Sequence, residues 1–119
     1  MKDEKNNDLV ERTMAFGLRI VKMFVALPKT EEARVLGKQA LRSGTSVGAN
    51  YREAQRARST AEFIAKIGDC LKELDETSYW IELMARAGIQ PPSKFADLLK
   101  ENQELLAIFT TISKRAKGT

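Results

Sequence analysis

The chain has 119 residues, of which 43% are hydrophobic and 30% are charged, and its formal net charge is +4. This length fits a single domain with enough apolar side chains to form a core. Histidine is absent, so the usual general base and the commonest metal ligand are missing, and we expect no enzymatic activity, metal or cofactor. Cys70 is the only cysteine, which excludes an intrachain disulfide and favours a small buried hydrophobic residue.

The positive charge is unevenly distributed along the chain. Residues 1–58 contain twelve Lys or Arg against seven Asp or Glu, whereas residues 59–119 contain eight against nine. A basic surface for a partner is therefore expected in the first half. Residues 1–7 are polar and predict a disordered tail, and no apolar run approaches the roughly 20 residues that span a bilayer. We expect a cytoplasmic protein with no membrane partner.

Apolar residues at helical intervals predict a first helix from Asp8, a plausible N-cap, to a point near Pro28. Its predicted core stripe consists of Leu9, Phe16, Ile20, Phe24 and Leu27, broadened by Val10, Met14, Val21 and Val25.

A second helix is predicted from Thr30, as its cap, to about Arg56. The small residues 43–48 could instead form a loop, but Ala33, Ala40 and Tyr51 stay in one helical phase across them, which favours a continuous helix. Three glycines share one side of this helix and would permit close helix packing: Gly37, Gly44 and Gly48.

Two further helices complete the predicted fold. Ser59 and Glu62 form a capping box before a seam from Phe63 to Ala85, with Glu62 reaching back to Ser59, and Gly88 ends that helix. After a proline-containing connection, a similar seam runs from Phe95 to Ile112. The simplest architecture for four amphipathic helices with short connections is all-α, an antiparallel up-down-up-down four-helix bundle. We predict it as a single domain spanning residues 1–119.

The second helix carries a basic stripe. Five cations fall within a sector about 80° wide, opposite the apolar side, and Arg58 follows them in the chain. The candidate nucleic-acid-binding set is Arg34, Lys38, Arg42, Arg52, Arg56 and Arg58. Guanidinium groups favour phosphate or carboxylate partners. The alternative is a solvated helix face, or one ion-paired with a neighbouring subunit.

Two other groups of residues are candidates for structural roles. A polar column on the second helix is expected to bond to a neighbouring helix or subunit; it consists of Ser43, Ser46, Asn50 and Glu53. On the third helix, Tyr79, Trp80 and Leu83 form an apolar patch beside acidic residues, which favours an oligomer interface. The alternative is that a loop or the fourth helix covers Trp80.

The segments 42–54, 63–66 and 72–77 resemble sequences typical of the four-helix bundle proteins encoded by intervening sequences in bacterial 23S ribosomal RNA genes, also called S23 ribosomal proteins. The resemblance covers roughly residues 10–115, with Tyr51 and Ala54 where members often have Ile and Gly. It implies a homopentameric bundle without known catalysis. The chain is also similar to the accessory variability protein of diversity-generating retroelements, which implies nucleic-acid binding.

From these features we predict a non-enzymatic oligomeric protein that contacts RNA or DNA phosphates through the basic stripe. The alternative is a protein–protein scaffold or assembly protein with no nucleic-acid role. These hypotheses differ in whether the arginines meet phosphate or a carboxylate surface.

Overall fold

A computed structural model describes the backbone of residues 4–118 and the side chains of residues 8–118. Within this range the chain forms four helices, α1 (Glu4–Ala26), α2 (Glu31–Gln55), α3 (Thr60–Arg86) and α4 (Ala96–Lys117), with a 3₁₀ turn at Pro92–Lys94 and no strand. Each helix packs against the next, and α1 also contacts α4. The predicted four-helix bundle is confirmed, and it measures 46 × 23 × 21 Å.

The helix ends follow the predicted capping residues with two corrections. Ser59 Oγ accepts the backbone N–H of Glu62 at 3.0 Å, but the carboxylate of Glu62 accepts the N–H of Arg58 and not that of Ser59. The first helix begins at Glu4, so Asp8 lies within it and is not its cap. Residues 1–3 of the predicted tail lie outside the described residues, as do the side chains of residues 4–7.

α2 is one uninterrupted helix of 25 residues, as its phase predicts. Thr30 caps it by accepting the N–H of Ala33 at 3.2 Å. The side containing the glycines faces α1, because a Cβ placed on Gly37 would lie 3.0 Å from Cδ1 of Phe24. The low helix propensity of the small residues is therefore outweighed by the close packing that they permit.

The core of α1 is narrower than predicted. Leu9, Phe16, Ile20 and Leu27 are buried. Three of the residues expected to broaden the stripe are exposed instead, together with Leu18; the exposed side chains are Met14, Leu18, Val21 and Val25. Among the helices, α1 packs mainly against α2 and also contacts α4, and these four side chains lie on the side of α1 that its neighbours leave exposed.

Contacts between the other helices close the bundle. Tyr51 of α2 packs edge-to-face on Phe109 of α4, with ring centroids 5.5 Å apart. The buried Asn102 of α4 donates from Nδ2 to the backbone oxygen of Leu74 in α3 at 3.0 Å. No helix in residues 4–118 is long and apolar enough to cross a membrane.

Candidate nucleic-acid interface

The basic stripe lies along the outer face of α2 and continues into the α2–α3 connection. All six predicted side chains, from Arg34 to Arg58, are at least partly exposed. Arg56 is the C-terminal cap of α2, and Arg58 belongs to the connection. Arg42 and Arg52 are ten positions apart, which corresponds to about 15 Å of helix, so the stripe consists of two groups of cations.

Arg42 differs from the other members of the stripe because α3 already holds it. Its Nη2 lies 2.6 Å from Oε1 of Glu76 and 3.3 Å from Oε1 of Glu73. The acidic side of α3 therefore meets the basic helix within the same protomer at this position. A phosphate would have to compete with two carboxylates for Arg42.

The five remaining cations of the stripe form no side-chain ion pair or hydrogen bond with residues 8–118. Glu53, which lies between Arg52 and Arg56 in the sequence, is engaged by Lys66 of α3 at 2.6 Å. That hydrogen bond raises the pKa of Lys66 above its ordinary value. Arg34, Lys38, Arg52 and Arg56 thus present positive charge to solvent along α2.

Further cations lie at the end of the bundle where α2 ends. Ala116 of α4 and Arg58 line the same shallow cavity, of about 610 Å³. Arg115 and Lys117 flank Ala116 and are exposed. The basic surface therefore extends beyond α2 onto the last turn of α4. In the sequence, the run of basic residues from 114 to 117 could have indicated this extension. Cations in a last helical turn also stabilise a helix through its dipole, so such a run has a structural explanation as well.

The residues of the predicted polar column bond partly to α3 and partly within α2. Ser43 is buried, with its Oγ 2.7 Å from Oγ1 of Thr77 in α3, and Glu53 bonds to α3 through Lys66. Ser46 donates to the backbone oxygen of Arg42 in its own helix at 2.7 Å. Asn50 is half-buried between them. Two of the four residues thus hold α2 against α3.

The predicted apolar patch of α3 is partly covered within the protomer. Tyr79 is 59% exposed, whereas Trp80 and Leu83 are half-buried. The Tyr79 and Trp80 rings contact edge-to-face, with centroids 5.1 Å apart. The indole Nε1 of Trp80 is buried and has no hydrogen-bond partner among the described residues.

No cluster of three or more Cys, Asp or Glu residues with metal-binding geometry occurs among the described residues. Cys70 is fully buried and points its Sγ towards the backbone oxygen of Val47 at 3.7 Å. Burial raises the pKa of the Cys70 thiol to about 12. The described part of the chain thus presents an array of surface cations, and its thiol is held in the protonated form.

Comparisons with known proteins identify a family that matches this chain and a solved structure that is similar to it. Residues 5–111 match the model of a family described as 23S rRNA-intervening sequence protein. The chain is also similar to a crystal structure of a protein of unknown function from the S23 ribosomal protein family of Bacteroides thetaiotaomicron VPI-5482. The two share 37% identity with a TM-score of 0.86, over 92% of this chain and 98% of that one. No curated protein matches the chain.

Proposed function

This chain belongs to the 23S rRNA-intervening sequence protein family, and we propose that it is a non-enzymatic, oligomeric protein that binds RNA or DNA phosphates through the basic stripe of α2. The proposal includes a cytoplasmic location, where such nucleic acids occur. It also includes self-association through Tyr79, Trp80 and Leu83, with five copies expected from the resemblance.

The observation that carries the nucleic-acid proposal is the exposed set of Arg34, Lys38, Arg52 and Arg56 on one helix face, without carboxylate partners among residues 8–118. Arginine binds phosphate oxygens in a bidentate manner. The outer face of α2 between the two cation groups presents only small residues, such as Thr45 and Ala49. Such a surface supports backbone contacts and not base recognition.

Salt dependence of binding tests this proposal. Fluorescence anisotropy with labelled oligouridylate and with a labelled DNA duplex measures affinity at increasing NaCl concentration. We expect log K to fall linearly with log salt for both ligands, because each phosphate contact releases counterions. Changing Arg34, Arg52 and Arg56 to Ala should lower the magnitude of the slope by about 2 to 3, since each neutralised phosphate contributes roughly 0.7 to 0.9.

A triple variant at other exposed positions is the matched control. Changing Arg86, Lys94 and Lys100 to Ala removes the same charge from α3, the α3–α4 connection and α4. This control should keep the wild-type slope. If both triple variants lowered the slope equally, the net charge of the protein and not the basic stripe would explain the effect. Absence of binding at low salt would refute the proposal.

Arg42 provides an internal comparison within the stripe. Because Glu73 and Glu76 hold its guanidinium, Arg42→Ala should reduce affinity less than Arg56→Ala. An equal or larger reduction for Arg42→Ala would show that a ligand displaces both carboxylates. That result would support the acidic side of α3 as a part of the binding mechanism.

A specific observation favours the second candidate, a protein–protein scaffold. The exposed apolar side chains of α1 lie beside the basic stripe and are suited to protein contacts. If this candidate is right, oligouridylate should not bind at any salt concentration, whereas the molar mass should remain that of an assembly.

A further inference from the structure

A cavity of about 580 Å³ lies between the second half of α1 and the start of α4. We call it the α1–α4 cavity. Its lining residues come from positions 19–27 of α1, 90–95 of the α3–α4 connection and 97–98 of α4, so it lies apart from the basic stripe of α2. Its volume falls within the roughly 300 to 1,000 Å³ that is typical of sites for small molecules.

Two contacts hold the walls of the α1–α4 cavity in place. Near the middle of α1, Arg12 donates to both carboxylate oxygens of Glu101 in α4 at 2.8 Å. At the end of α1, Nε2 of Gln90 in the connection donates to the backbone oxygen of Ala26 at 3.1 Å. Because these contacts bracket the part of α1 that lines the cavity, its walls are fixed without a ligand.

Three cations from two elements line this cavity. Arg19 and Lys22 are three positions apart and therefore neighbours on the surface of α1, and Lys94 belongs to the 3₁₀ turn of the connection. All three are exposed and form no ion pair or side-chain hydrogen bond with residues 8–118. Glu101 is already held by Arg12, which lowers the pKa of that carboxyl by hydrogen bonding, and the charge of Arg19 adds to this effect. The cations therefore remain available to a ligand.

The lining residues also include a carboxylate, that of Asp97. It lies in the first turn of α4, where a negative charge stabilises the helix through its dipole. Three positive charges and this negative charge leave the lining with a net charge of +2. An anion that carries two negative charges would balance this excess.

The rest of the lining is largely apolar. Leu27, Phe95 and Leu98 line the cavity and belong to the buried core, and the partly buried Met23 packs against that core. Binding sites for small molecules combine apolar walls with a few polar groups that orient the ligand. A ligand here would place its charge at the exposed cations and cover apolar side chains with its body.

We propose that the α1–α4 cavity binds a small organic phosphate monoester whose phosphate meets Arg19, Lys22 and Lys94. A phosphate monoester carries a charge of about −1.5 to −2 at neutral pH and has three strong acceptor oxygens, one for each cation. A carboxylate offers one charge and two oxygens. This site is separate from the basic stripe, and it depends neither on nucleic-acid binding nor on self-association.

Calorimetric titration with naphthyl phosphate tests the proposal, because this compound combines a phosphate monoester with an apolar body. Inorganic phosphate lacks the apolar body, and naphthalenesulfonate carries the body with a single charge. At low salt and about pH 7.5, where the phosphate is largely a dianion, we expect saturable binding of naphthyl phosphate with a Kd below about 1 mM. The other two compounds should bind at least about tenfold more weakly, since each lacks a part of the recognised chemistry.

Single substitutions locate the binding site. Lys22→Gln and Lys94→Gln should each weaken the binding of naphthyl phosphate about tenfold, because each removes a charge-assisted hydrogen bond. Both positions are exposed, so each variant should fold, and circular dichroism checks the helices. Lys72→Gln removes the same charge from an exposed position of α3 and should keep the wild-type affinity. Equal losses in all three variants would overturn the proposal.

The triple change of Arg34, Arg52 and Arg56 to Ala separates this site from the basic stripe. That variant should bind naphthyl phosphate as the wild type does, although its salt slope with oligouridylate is reduced. Lys22→Gln and Lys94→Gln should do the reverse. The proposed site is refuted if naphthyl phosphate shows no saturable binding below about 1 mM, if inorganic phosphate or naphthalenesulfonate binds as tightly, or if binding is lost with the α2 arginines instead. None of these results alters the outcome of the oligouridylate titrations.

Discussion

Gly44 of α2 lies so close to Ile20 of α1 that a Cβ on the glycine would be 2.6 Å from Cγ1 and 3.0 Å from Cγ2 of the isoleucine. Ile20 is fully buried, and it is branched at Cβ, which restricts its rotation. The isoleucine therefore cannot move aside without displacing its neighbours. This contact sets the distance between the first two helices.

Gly44→Ala should destabilise the protomer by about 1 to 3 kcal/mol, because the added methyl group overpacks a closed interface. Gly68→Ala is the matched control, since its added Cβ meets nothing within 4 Å and should stabilise the helix by up to about 1 kcal/mol. Both are made in the Tyr79→Glu background, which is expected to be monomeric, and urea unfolding measures the difference. Similar effects at the two glycines would contradict the packing role of Gly44.

The hydroxyl pair formed by Ser43 and Thr77 should couple α2 to α3. Thr77 also donates to the backbone oxygen of Glu73 at 2.7 Å, so its hydroxyl can remain bonded when Ser43 is replaced. We therefore expect Ser43→Ala to cost about 1 kcal/mol. A double-mutant cycle with Thr77→Val should give a coupling energy of about 0.5 to 1.5 kcal/mol; strict additivity would show that the hydroxyl contact contributes nothing.

Cys70 should resist thiol reagents in the folded protein. Burial raises its pKa to about 12, and the thiolate is the reactive form. Iodoacetamide at pH 8 should label the native protein far more slowly than the urea-unfolded protein, as measured by mass spectrometry. A variant with Gln103→Cys, at an exposed position of α4, should acquire one fast label. Rapid labelling of native Cys70 would indicate that α3 opens locally.

The ion pair that Arg12 of α1 forms with α4 should stabilise the folded protein, and this stabilisation should be lost at acidic pH. Arg12 donates to both carboxylate oxygens of Glu101 at 2.8 Å, and this hydrogen bonding lowers the pKa of Glu101 below 4.5 although burial opposes it. A lowered carboxyl pKa stabilises the folded state at pH values above the unfolded pKa, and this contribution is lost as the pH falls through the folded pKa.

Arg12→Ala should therefore cost about 1 kcal/mol at pH 7, at the upper end for partly exposed pairs. Its difference from wild type should shrink as the pH falls below the ordinary glutamate pKa of about 4.3 and through the lowered pKa of Glu101 in the folded protein. Urea unfolding at several pH values measures this difference, and Arg86→Ala is an exposed control. A difference that stays constant down to about pH 2.5, well below the ordinary carboxyl pKa, would exclude this ion pair as the source.

Much of the bundle was predictable because its signals are local. The caps at Thr30 and Ser59 and the helical phase across the small residues of α2 depend on neighbours a few positions away. The partners of Arg42 were not predicted as contacts within one protomer, since Glu73 and Glu76 are more than 30 residues distant. Helical phase gives the direction of a side chain but not the element that it meets.

The sequence by itself determined that this protein has four helices, a common apolar core and basic residues along one face of α2, because helix periodicity and charge can be read from nearby residues. Only the tertiary structure decided which apolar residues are covered. Met14, Val21 and Val25 have the hydrophobicity of core residues, yet they lie on the side of α1 that its neighbouring helices do not cover, and they are exposed. Burial depends on where neighbouring helices pack, and this placement also separates the paired Arg42 from the exposed cations around it.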